Sequence, residues 1–144
     1  MSNIEVAKEG LKRGKQWQRN ASRAFEDERW NDVVFSYEMA VEQSLKAILI
    51  LFGIEYPKIH NISKLYLSIN NTNFPKWFVE NMDFHAKTLK ILVKLRNKAA
   101  YGYVNGLTKE DFKEDAYEFQ DPINKIINEC ETLINDFSKK ALKG

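Results

Sequence analysis

The chain reads as an all-α protein: an up-and-down antiparallel helical bundle of four long helices plus one short helix. Three observations predict it. Apolar residues recur every three or four positions in separate long stretches, the helical period. The connections between those stretches are short and carry Gly, Pro and Asn. No segment alternates apolar and polar residues over a strand's length. At 144 residues, with 44% hydrophobic and 29% charged residues, the composition suits one globular domain with a real core. The reading is a single domain over 1–144, with its core at about 3–137.

Asn3–Glu26 is the first predicted helix, capped by Ser2 or Asn3, with Glu5 in its first turn. At about 100° per residue, Ala7, Leu11, Ala21 and Phe25 share one side. Lys8, Lys12, Lys15, Arg19 and Arg23 form a basic stripe within about 80° beside it. Such a stripe is either a solvated face with partial pairing to Glu5 and Glu9, or a surface that tracks RNA phosphates. Trp17, off the apolar centre, either packs on a neighbouring helix or stacks on a base.

Asp27–Arg29 breaks the pattern, with Asp27 or Asn31 as the next cap. Trp30–Phe52 carries the strongest periodicity: Trp30, Val33, Val34, Tyr37, Val41, Leu45, Ile48 and Phe52. That stripe is wide enough to meet two neighbours. Gly53 closes the helix, and a loop with Pro57 leads to His60. His60 precedes a short amphipathic helix to Asn70, with Asn61 as cap, and its ring can bond a free amide or a neighbouring helix. Asn70–Asn73 is turn-rich, and Pro75 suits the first position of another helical turn.

Leu89–Tyr103 is the stretch that organises the rest. Leu89, Leu92, Ala99 and Ala100 mark a buried face, and Arg96 falls on the same side. A guanidinium cannot lose its proton, so on an apolar face it needs partners. They are either an acid on an adjacent helix or an anionic ligand. Gly102 is the expected stop, which gathers Arg96, Asn97, Tyr101 and Tyr103 at a helix end. Helix-end packing is the simple reading for the two phenols. His85 lies three turns earlier, about 16 Å along the axis from Arg96, too far for direct help within one chain.

Thr108 to Asp111 signals a helix start, followed by Phe112, Ala116 and Phe119 on the inward side. Asp121-Pro122 either kinks this helix or starts a new one. The stripe continues through Ile123, Ile126, Ile127, Cys130, Leu133, Ile134 and Phe137, and Ser138–Gly144 is expected to fray.

Several function classes fall away. A net charge of +2 does not argue for nucleic acid unless it is clustered. The lone Cys130 cannot form an internal disulfide, fits a cytoplasmic location and reads as structural. The longest apolar run, Ala47–Phe52, is far short of a membrane span. No HExxH, CxxC, Gly-rich phosphate loop or GxSxG elbow is present, and neither histidine has a visible metal-ligating set. No metal and no cofactor is expected.

Arg96-Asn97-Lys98-Ala99-Ala100-Tyr101-Gly102-Tyr103 resembles the signature of HEPN domains, in the branch that reads Arg-x4-His-x-Tyr. Arg96, Asn97 and Tyr103 match, and Tyr101 stands where the branch has its His. Trp30 to Leu49, with its Glu42-x3-Lys46 step, resembles the family's second helix, and His60 with its short helix resembles a second landmark. The resemblance implies a homodimer with both Arg motifs in one cleft. Two copies of Arg96 there repel and so favour an anion such as the phosphate of RNA or a nucleotide, with Asn97, Tyr101 and Tyr103 beside it.

That His is catalytic in the family's metal-independent RNases. Cleavage here would rest on Arg96 stabilising the phosphorane and on Tyr101 for proton transfer. A phenol, with an ordinary pKa of about 10, shuttles protons near neutrality less well than an imidazole of about 6.5. Weak or absent nuclease activity is therefore expected. The branch also implies a toxin–antitoxin module with a minimal nucleotidyltransferase partner, for which Tyr103 is the modifiable position.

Overall fold

Residues 1–143 are described by a computed structural model of the chain. Four long helices carry the architecture: α1 (Asn3–Glu26), α2 (Trp30–Leu51), α5 (Met82–Tyr101) and α7 (Gln120–Lys143). Between them lie three short helices, α3 (Ser63–Leu67), α4 (Lys76–Val79) and α6 (Lys113–Glu118), with 3-10 turns at Gly102–Asn105 and Lys109–Phe112. No strand occurs among the described residues. The bundle class is the one the periodicity predicts, with more short pieces than the single one expected.

α2 is the central element. Most of its residues are buried, and it packs on α1, α5 and α7. α1 runs antiparallel to it, as three contacts show: Gly10 on Ala47, Gly14 on Ser44 and Phe25 on Trp30. A Cβ at Gly14 would lie 2.5 Å from Ser44 Oγ and 3.1 Å from the Ala40 carbonyl, so only glycine lets the two backbones approach this closely. α1 and α7 are antiparallel too, joined by Lys15 to Glu131 and Gln18 to Asn124. Rings close both ends of the core: Phe52, Phe74, Phe78 and Phe137 at one, Phe25, Trp30 and Tyr117 at the other.

Helix ends follow local chemistry, with some departures from the expectations. Ser2 caps α1 by accepting from the Glu5 amide at 3.2 Å. Neither Asp27 nor Asn31 caps α2; Arg29 occupies that position and pairs with Asp32 at 2.5 Å. Asn61 accepts from the Ser63 amide, but the short helix ends at Leu67 rather than Asn70. Thr108 and Asp111 form the expected capping box, over a 3-10 turn rather than an α-helix. The Asp121-Pro122 alternative resolves as a new helix, with Pro122 in the first turn of α7, where a missing N–H costs nothing. α7 stays helical to Lys143, well into the segment expected to fray.

α5 stops at Gly102 as expected, though not through a left-handed backbone. The φ of Gly102 is −63°, and the left-handed residue is Gly106 at φ 83°. The chain turns back there through the Leu107 amide, which donates to the Gly102 carbonyl at 3.1 Å. Gly102 is buried beneath Leu107, where a Cβ would clash.

Candidate functional site

The site begins with Glu38 and Glu42, one turn apart on α2 and therefore on the same face. Both are buried. Lys46, a further turn on, donates to Glu42 Oε2 at 2.8 Å. His60 arrives from the loop after α2 and places Nδ1 2.8 Å from Glu42 Oε1 and 3.8 Å from Glu38 Oε1. Arg96 approaches from α5, with Nε 3.8 Å from Glu38 Oε2. Five ionisable side chains from two helices and one loop thus meet at one place. Sequence spacing hides this, because Glu42, His60 and Arg96 are brought together only by the packing of α2 against α5 and the loop.

Arg96 finds one of the partners expected of a cation on an apolar face, an acid, and an aromatic ring besides. Its acid is Glu38, and its guanidinium also lies over the Phe35 ring, 4.6 Å from the centroid. The ion pair is long, and Arg96 Nε has no hydrogen bond. The side chain is 17% exposed, so the outer edge of the guanidinium meets solvent. Phe35 in turn contacts Trp17, with centroids 6.2 Å apart. Trp17 therefore packs, and does so as part of a half-buried row Trp17–Phe35–Arg96. A groove of about 290 Å³ beside the row is lined by Arg23, Arg29 and Asp32.

Glu38 is the unusual group. It is wholly buried, and neither oxygen accepts a hydrogen bond from an N–H or O–H among the described residues. Burial, then the adjoining Glu42, push its carboxyl up to about 9. For Glu42 burial acts in the same raising sense, but hydrogen bonding to Glu38, Lys46 and His60 outweighs it and holds the group below the usual carboxylate range. The two carboxyls are thus pushed in opposite directions, Glu38 toward its neutral form and Glu42 toward its charged one.

The Arg motif divides between two surfaces. Arg96 turns onto α2, whereas Asn97 and Tyr101 line a cleft of about 700 Å³ against Leu107, Phe112 and Asp115. Tyr101 is 67% exposed and Tyr103 is 73% exposed, so neither phenol is packed away at the helix end. Arg96 does not line this cleft. Within one chain the motif is thus two adjoining faces around the end of α5.

The basic stripe is partly spent on pairing. Lys12 bonds Glu9 at 3.1 Å, and Lys15 is tied to Glu131 of α7. Lys8, Arg19 and Arg23 are exposed and make no ion pair among the described residues. His85 is not near Arg96 but a core residue, wholly buried between Tyr66 and Glu129. Burial holds it below its usual range against the opposing effect of Glu129. It is thus neutral: Nε2–H donates to Glu129 at 3.0 Å, and Nδ1 accepts from the Tyr66 hydroxyl at 2.7 Å. Cys130 is buried, and burial raises its thiol, which keeps it unreactive as expected.

The chain is thus an all-helical bundle in which Arg96, near the end of α5, faces the buried acid Glu38 of α2. A comparison with family-level descriptions matches the HEPN domain over residues 7–138, and the chain belongs to that family. No curated protein and no solved structure matches it. HEPN domains are in general associated with nucleotides and RNA, and they commonly dimerise. No helix among the described residues is long and apolar enough to cross a membrane.

Proposed function

We propose that this HEPN domain binds RNA, or the phosphate of a nucleotide, in a cleft that two copies form around Arg96. Arg96 carries the reading. The Arg96–Glu38 pair is long, at 3.8 Å, and Arg96 Nε makes no hydrogen bond, so the guanidinium is weakly held and its solvent edge is available to a phosphate. Phe35 lies under the guanidinium and contacts Trp17, and aromatic faces of this kind stack on bases without sequence preference. Arg23, Arg19 and Lys8 extend the positive surface, whereas Lys12 and Lys15 contribute less because acids hold them. Asn97, Tyr101 and Tyr103 would contact the remainder of the ligand from the adjoining face.

The test is fluorescence anisotropy with labelled mixed-sequence single-stranded RNA, alongside light scattering for the oligomeric state. Arg96→Ala is expected to weaken binding by at least about tenfold, the effect of losing one charge-assisted phosphate contact of ~1.5–3 kcal/mol. Unchanged affinity for RNA and for nucleotides in the folded variant sinks the reading.

A nuclease role is a second reading, and the position of Tyr101 bears on it, since its exposed ring lines the cleft at the end of α5. Metal-independent RNA cleavage by the wild type that Arg96→Ala abolishes supports it, whereas cleavage by Tyr101→His alone means that the natural protein keeps the site for binding. The exposure of Tyr103 equally supports the nucleotidyltransferase-partner reading, since a modifying enzyme can reach its hydroxyl. Failure of such an enzyme to bind or modify the protein removes it.

A further inference from the structure

Glu38 stands out because a wholly buried carboxyl group whose oxygens accept no hydrogen bond is costly to keep. Arg96 sits too far away to satisfy it, at 3.8 Å from Oε2 with Nε itself unbonded. Its other oxygen, Oε1, is aimed at His60 Nδ1, and Glu42 Oε1 completes the group. One ligand atom from each of Glu38, Glu42 and His60 lies within 4.8 Å of the others. Donors held about 2.0–2.2 Å from a cation are roughly 3–3.6 Å apart. The observed 2.8 and 3.8 Å from His60 Nδ1 to the two carboxylates bracket that spacing.

We propose that Glu38, Glu42 and His60 form a binding site for a first-row divalent cation, with Zn²⁺ favoured by the imidazole. The division of oxygens supports it. The two Oε1 atoms face His60, and the two Oε2 atoms face Lys46 and Arg96, which are placed to orient the ligating carboxylates from outside. His60, 43% exposed, gives the ion a way in and leaves coordination positions for water. Lys46 and Arg96 partly neutralise the carboxylates, so the site binds less tightly than a bare Glu-Glu-His trio. A bound ion pins the loop after α2 to the middle of that helix and gives Glu38 the partner it lacks. The cation site adjoins the proposed RNA surface through Arg96, and a titration without RNA tests it separately.

The experiment is calorimetric titration of the chelator-treated full chain with ZnCl₂, with Co²⁺ absorption as a second readout of an ordered ligand set. Saturable one-to-one binding is expected, with visible Co²⁺ bands and a raised melting temperature. Glu38→Gln and His60→Ala should each weaken it by about tenfold or more. Absence of saturable binding overturns the proposal. Equal binding in wild type and His60→Ala also overturns it, because the ion then sits elsewhere. Should Glu38→Gln fail to fold by circular dichroism, His60→Ala decides alone, as its side chain is partly exposed on a loop.

Discussion

Tyr66→Phe tests whether the buried Tyr66–His85–Glu129 chain is a structural network. The substitution deletes one oxygen and leaves the ring, so it opens almost no cavity. It strands His85 Nδ1, which accepts only the Tyr66 hydroxyl at 2.7 Å, in a site where both side chains are wholly buried. Leaving a buried acceptor unsatisfied costs about 1–3 kcal/mol. An unfolding entropy of about 2.1 cal/mol/K per residue gives roughly 300 cal/mol/K for a chain of 144 residues. The expected fall in melting temperature is therefore roughly 3–10 °C. Scanning calorimetry reads it, and a double-mutant cycle with His85→Leu isolates the pair. In the His85→Leu background the hydroxyl has lost its acceptor, so Tyr66→Phe should cost clearly less or become neutral. Equal costs in both backgrounds refute the reasoning, because the hydrogen bond would then contribute nothing.

Two further outcomes follow from the same core. His85 has a folded pKa below its unfolded value of about 6.5, so the unfolded chain takes the proton first as pH falls. Its contribution is fully present above about pH 6.5 and is lost below it, at up to about 1.4 kcal/mol per pH unit until the folded group titrates. Denaturant midpoints between pH 7.5 and 5.5 should fall less steeply for His85→Leu than for wild type, and parallel curves contradict this. Gly14→Ala should destabilise the protein despite a helix-propensity gain of about 1 kcal/mol, because overpacking against the Ala40 carbonyl costs about 1–3 kcal/mol. A higher melting temperature in that variant shows that α1 can shift away from α2 at little cost.

How legible the protein was differs between fold and site. α1 matches its predicted bounds, and α2 ends one residue short of its own, because long helices display their buried face every three or four residues and stop at Gly and turn residues. The position of Arg96 on a buried face was equally visible, as was the need for an acid partner. The identity of that partner was not. Glu38 and Glu42 read as two acids on the most apolar helix, and nothing local shows that a carboxylate there will be wholly buried. His60 was legible as a group beside a neighbouring helix, but its two carboxylates lie about twenty residues back in the chain. The sequence placed His85 three turns from Arg96, too far to help it, but did not show what it packs against. The packing of α3 and α7 onto α5 makes it a core residue.

The sequence by itself determined the helical class, the order of the main elements, the bounds of the first two long helices and the Arg-centred motif that resembles HEPN domains. These depend on periodicity, caps and residue order, which are local. Only the tertiary structure decided which charges share a site, which face of the α5 end each motif residue occupies, and which basic residues remain free. Ionisable side chains meet across helices, and their protonation is set by burial and by neighbours distant in the chain, so no local pattern records them.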